Sequence, residues 1–195
     1  RTYFVYYTFI KPWVSHIRST LLPLADCYSN ALQIGDIEFA SHAALVYGYY
    51  SFLSGVDLEE SGKEIEKYAD AAEDLKQETD LYVLANYRQT ISILSGKENF
   101  IGQIRGQYFD EEKMLGIYLE QKDKTSLFHL YLNGLTLNYF FGNYEKAVEY
   151  GDKNQKTLEG GLSVFALEVF FFYDSLARLA LIKKASRENS NSKYL

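Results

Sequence analysis

One phrase occurs twice in this chain, as Gly35-Asp36-Ile37-Glu38-Phe39-Ala40 and as Gly142-Asn143-Tyr144-Glu145-Lys146-Ala147. In each, a glycine closes one long apolar helical pattern and a second pattern begins behind it. A large apolar residue stands two positions after the glycine and an alanine five positions after it. Glycine supplies the left-handed backbone that ends the first helix, and alanine lets the second approach it closely. That is the turn of a tetratricopeptide-like helical hairpin, a unit that buries its apolar face by stacking on its neighbours. The two glycines are 107 residues apart, about three periods of ~34 residues. Gly55 and Gly96 end helices between them without repeating the whole phrase, so the expected repeats are degenerate.

The remaining pattern is helical throughout. Pro12 should open a helix through Trp13, Ile17, Leu21, Leu24, Tyr28 and Leu32, with a kink or short break near Leu22 imposed by Pro23. Asp36 is expected to cap a helix to about Leu53, on which Ala40, Ala44 and Gly48 form a small-residue stripe. Asp57 or Ser61 should cap the next helix, Asp80 should open a fourth, and Asp110 a short one after an irregular stretch from Gly96 to Phe109. The run from Thr125 to Phe141 is apolar nearly all round, which places it at the centre. Asn143 to Leu158 pairs with it, Gly160-Gly161 interrupts, Leu162 to Ala185 forms the last helix, and residues from Ser186 onward should fray. We therefore expect an all-α fold of antiparallel helical hairpins, stacked as a tetratricopeptide-like right-handed superhelix in one domain over residues 1–195. Because Arg1 rather than Met opens the sequence, inside an apolar pattern, we expect a piece of a longer chain.

Charge and composition exclude several classes. A net charge of −6, with Lys63 and Lys67 set among carboxylates at helical spacing, argues against nucleic acid, which requires a clustered basic surface. No basic cluster is visible in the sequence. Tyr3 to Ile10 stops at Lys11 and Pro12, and Leu162 to Ile182 is broken by Glu168, Asp174 and Arg178, so no membrane span is expected. The lone Cys27 cannot form an internal disulfide, which favours a cytoplasmic home. The 18 Tyr and 13 Phe are best read as filling between stacked helices.

No catalytic motif competes with this architecture. Glu38 and His42 are four apart and could share a metal, but His16 and His129 offer no matching carboxylates, and a polar contact is the better reading. Cys27 with His42 makes a weak thiol-imidazole proposal, and Glu59, Glu60, Glu73 and Asp74 belong to charged helix faces. Phosphate loops, kinase signatures and the Gly-x-Ser-x-Gly elbow are missing. The sequence therefore predicts no enzyme activity for this chain, and neither metal nor cofactor. What remains is a surface: His129, Asn133, Thr136 and Tyr139 share one face of the helix before Gly142 and are the candidates for contacting a partner.

Further phrases carry a resemblance. Tyr49-Tyr50-Ser51-Phe52-Leu53-Ser54-Gly55, Leu75-Lys76-Gln77-Glu78-Thr79, Glu112-Lys113-Met114-Leu115 and Phe172-Tyr173-Asp174-Ser175-Leu176-Ala177-Arg178-Leu179-Ala180, with the first glycine phrase, resemble the helical region of large cyanobacterial multi-sensor signal-transduction multi-kinases. The resemblance runs from about Trp13 to Leu181 and departs from the family pattern around Gly96 to Tyr108. Such chains join a serine/threonine kinase, an AAA/STAND-type ATPase, a tetratricopeptide-like region, a GAF domain and a histidine kinase. Their catalytic residues lie in the other domains, so none carries over. The resemblance implies a regulatory spacer between an ATPase switch and a sensor kinase, holding a protein or peptide segment or a neighbouring domain of the same chain. The rival expectation is an all-α small-molecule sensor, or an unrecognised enzyme, with a pocket lined by Tyr and Phe.

Overall fold

The computed structural model describes residues 1–191, and among them helices are joined by turns and loops with a single isolated bridge between Arg105 and Asp110. Helix α1 (Thr2–Val5) continues into a π-helical turn (Tyr6–Ile10) and a 3-10 turn (Lys11–Trp13). A second 3-10 turn (Ile17–Thr20) leads into α2 (Leu21–Gln33). Then follow α3 (Ile37–Leu53), α4 (Leu58–Asp74), α5 (Glu78–Leu94), α6 (Glu111–Gln121), α7 (Lys124–Phe140), α8 (Tyr144–Asn154), a 3-10 turn (Leu158–Gly161) and α9 (Ala166–Asn191).

These helices form two layers. Helices α3, α5, α7 and α9 each touch the next in that order. On the other side α2 packs on α3, α4 on α3 and α5, α6 on α7, and α8 on α7 and α9. Turns at Gly35, Lys76 and Lys122 lead from this second layer into the first, and turns at Gly55, Gly96 and Gly142 lead back. All six residues have positive φ. At five of them the next residue's N–H donates to the carbonyl five positions earlier, as in Asp36 to Ala31 at 2.9 Å and Asn143 to Asn138 at 2.8 Å.

The spacing of these turns corrects the expected period. Positions 35, 76 and 122 are 41 and 46 residues apart, and so are 55, 96 and 142. The structural unit is therefore longer than ~34 residues. Five helices, α3 to α7, lie between Gly35 and Gly142. The two matching phrases consequently run in opposite senses between the layers and are not equivalent points of one repeat.

Local chemistry accounts for most helix ends. Asp57 accepts from the N–H groups of Glu59 and Glu60 at 2.8 and 3.2 Å, and Asp110 from those of Glu112 and Lys113, each satisfying donors that a helix start leaves unpaired. Pro23 is the third residue of α2, where its missing N–H is no loss, and the expected break falls just before it, where the 3-10 turn Ile17–Thr20 gives way to α2. Asp36 flanks α3, but its carboxylate accepts from Arg1 Nε and Nη2 at 2.9 and 3.2 Å and does not cap. Asp80 does not open α5, which starts at Glu78. It is buried two residues inside. Helix α9 continues past Ser186 to Asn191, and residues 192–195 lie outside the described residues.

The core lies between the layers. Ala40 and Ala44 are buried, and a Cβ on Gly48 would sit 2.6 Å from Leu84, so the small-residue stripe is where α3 closes on α5. Aromatic rings fill the wider spaces, with Tyr50, Tyr68, Tyr87, Tyr118, Tyr150 and Phe128 fully enclosed. The Tyr50 hydroxyl donates to the Thr8 carbonyl at 2.7 Å and ties the first residues to the core. Helix α7 is buried from Ser126 to Asn138 on every side, as its all-round apolar character requires. No helix among the described residues is long and apolar enough to cross a membrane.

Candidate functional site

A groove of about 810 Å³ is lined by residues of α3, α5, α7 and α9, with Gly55 and Leu58 from the turn into α4. Phe52 and Leu53 at the end of α3, Leu94 at the end of α5, Leu132 and Phe140 on α7, and Val169 and Phe172 on α9 supply apolar walls. Phe140 and Phe172 are 52% and 59% exposed, unusual for rings of that size. Glu168 is the one charged residue among the lining side chains. Asn133 and Thr136 are the polar groups at the α7 floor.

The four partner candidates on α7 divide here. Asn133 and Thr136 both line the groove, yet both are buried. Thr136 Oγ1 donates to the Leu132 carbonyl at 2.8 Å, while Asn133 Nδ2 has no hydrogen-bond partner. An unpaired buried amide is costly, so this atom is an unfilled donor next to a hollow. His129, one turn earlier, is outside the groove and enclosed by the rings of Tyr49, Tyr87 and Phe128. Its Nδ1 shares a 2.9 Å hydrogen bond with the Tyr87 hydroxyl, and burial pushes its pKa down to about 3, which keeps it neutral. Tyr139 is half-buried against Tyr144 and Tyr173 and does not line the groove. The expectation of one open face bearing all four is thus corrected. Helices α5, α6, α8 and α9 pack around α7, and among the described residues Asn133 and Thr136 are the two of the four that line the groove.

The other sequence candidates are accounted for by packing and pairing. His42 Nε2 is 3.9 Å from Glu38, but its Nδ1 is hydrogen-bonded at 3.2 Å to Asp80 of α5, a buried residue. That hydrogen bond raises the His42 pKa. Nothing in the spacing of α3 could have named Asp80. Among the described residues no group of three or more His, Cys, Asp or Glu is arranged to hold a metal ion. Cys27 packs partly buried against the core, and burial raises its thiol pKa, away from a reactive thiolate. Glu59 pairs with Lys63 at 2.9 Å and Glu64 with Lys67 at 3.8 Å, on an exposed charged face.

Three features escaped sequence reading. Glu98 accepts from Gln89 Nε2 and Ser92 Oγ at 2.9 and 3.0 Å. Buried Glu111 accepts from the Ile104 N–H at 2.9 Å and the Tyr150 hydroxyl at 2.6 Å. Together these carboxylates anchor the irregular stretch before α6 to α5 and α8. The third is a basic cluster, which the fold assembles from Lys122, Lys124, Lys153 and Lys156. The two halves of that cluster are some thirty residues apart, so composition along the chain hides it. Set against protein-family models, curated proteins and solved structures, the chain has no match in any of the three.

Proposed function

We propose that this chain is a non-catalytic, tetratricopeptide-like interaction module with a right-handed superhelical stack, whose groove holds an apolar segment of a partner protein or of a neighbouring domain. The observation that carries this reading is the groove itself, with Phe140 and Phe172 exposed beside an unfilled donor at Asn133. Exposed aromatics clustered at a hollow mark interaction sites, because aromatic anchors seated in pockets dominate the energy of interfaces. By its resemblance to multi-kinase helical regions, the module would act in the cytoplasm as the spacer that passes the state of an ATPase switch to a sensor kinase. Glu168 sets a preference for occupants without negative charge at that end.

A second reading is favoured by one number. A hollow of about 810 Å³ falls within the size range of small-molecule pockets, so an apolar ligand could occupy it in place of a protein segment. Photo-crosslinking separates the two. A benzophenone side chain at position 172, in the protein inside cells, should join the groove to one defined peptide segment, and the same group at exposed Glu120 should not. Native mass spectrometry of the purified chain would reveal a retained small molecule. Crosslinking from position 172 no more selective than from position 120 would overturn the protein-binding reading.

A further inference from the structure

A second hollow, of about 490 Å³, lies where the turn between α6 and α7 meets the end of α8, and shares no lining residue with the groove. Its apolar walls are Leu119, Leu127 and Tyr131, and Lys122, Lys124, Lys153 and Lys156 surround them. No carboxylate is among its lining residues. In a chain with 26 acidic and 20 basic residues this is a local reversal of sign.

The charges are unevenly satisfied. Lys124 is bonded to Glu159, and Lys153 lies 5.1 Å from the centre of the Tyr150 ring. Lys122 and Lys156 have neither ion pair nor side-chain hydrogen bond among the described residues. Asp123, the nearest carboxylate in sequence, is occupied at the start of α7, accepting from the Ser126 N–H at 3.0 Å and its hydroxyl at 2.7 Å. The negative end of the α8 dipole explains a single lysine at its last turn. It does not explain four ammonium groups gathered round apolar walls, nor Leu119 standing 58% exposed among them.

We propose that this hollow binds a phosphate monoester carried on a flat apolar body, the chemistry of an aryl phosphate. Three ammonium groups without a carboxylate partner call for more than one negative charge, and a phosphate monoester carries −1.5 to −2 near neutral pH where a carboxylate carries one. Leu119, Leu127 and Tyr131 offer the apolar body a surface that inorganic phosphate would leave unused. The site stands apart from the groove and does not depend on the function proposed for it.

Calorimetric titration of the purified chain with phenyl phosphate, inorganic phosphate and phenol tests this. Phenyl phosphate should bind at least about tenfold more tightly than inorganic phosphate, and phenol should give no detectable heat. Adding salt should weaken the phosphate-bearing ligands. Lys122→Gln with Lys156→Gln should cost at least about tenfold in affinity, and Leu119→Ser should remove the advantage of phenyl phosphate over inorganic phosphate. These side chains are exposed, so unchanged melting temperatures will separate lost binding from lost folding. Lys63→Gln, on a distant charged face, should leave binding unchanged. A phosphotyrosine peptide that binds more tightly than phenyl phosphate would assign the aryl phosphate to a modified protein. Equal binding of phenyl and inorganic phosphate, binding of neither, or binding indifferent to the two lysines would overturn the proposal.

Discussion

His129 should make the stability of this protein depend on pH in a direction that can be measured. Its ring is 2% exposed, has no carboxylate beside it, and shares its one hydrogen bond with the Tyr87 hydroxyl. Burial lowers its pKa from an ordinary 6.5 to about 3. Between those values the unfolded chain binds a proton that the folded chain refuses. Stability is therefore unaffected above the unfolded pKa and falls as the pH drops from 6.5 toward 3. At full slope the loss is about 1.4 kcal/mol per pH unit, which integrates to about 2 kcal/mol between pH 7 and pH 5. Against a total of roughly 5–15 kcal/mol for a domain, that loss is readily measured. Urea unfolding at pH 7, 6 and 5 should show the parent losing this much more than His129→Gln, which keeps a polar partner for Tyr87 but cannot titrate. Only the difference in slope matters, so any constant cost of the substitution cancels, as do carboxylates common to both proteins. Parallel pH profiles for the two proteins would refute a buried neutral imidazole at this position.

Four further outcomes are expected. The raised pKa of His42, held by Asp80, contributes stability that is fully present below the unfolded value and lost as the pH rises through the folded one, so the advantage of the parent over His42→Gln should shrink as the pH is raised above the ordinary value of 6.5 in melting experiments. Gly142 has φ +76° and nothing within 4 Å of an added Cβ, so Gly142→Ala should cost only the left-handed strain of about 1–2 kcal/mol, whereas Gly134→Ala would place its Cβ 2.4 Å from the Tyr150 ring. The second should cost more, up to about 3 kcal/mol, and the reverse order in urea titrations would count against the packing of α7 on α8. Asn133→Leu should raise the melting temperature of the free protein by removing an unpaired amide worth about 1 kcal/mol or more, and a fall would mean that the amide has a partner. Incubation with labelled ATP and magnesium should give no turnover, and activity that survives repurification would overturn the non-catalytic reading.

Features set by near neighbours along the chain were legible in the sequence. The all-helical class, the caps at Asp57 and Asp110, the endings at Gly35, Gly55 and Gly142 and the central position of α7 rest on periodicity, on caps and on backbone sterics within a few residues. The repeat period was hidden by Lys76 and Lys122, which take the left-handed position where glycine would have announced a turn. Only the tertiary structure decided which layer each helix joins. It also decided that His129 sits in the core while Asn133 and Thr136 reach a groove, and that Asp80 serves His42. An α7 that is apolar all round carries no preferred direction, so its polar residues acquire surroundings only when α5, α8 and α9 close on it. The lysine hollow has the same origin. Electrostatic and packing energies depend on distance through space, and the fold alone brings Lys122 and Lys156 to the same place.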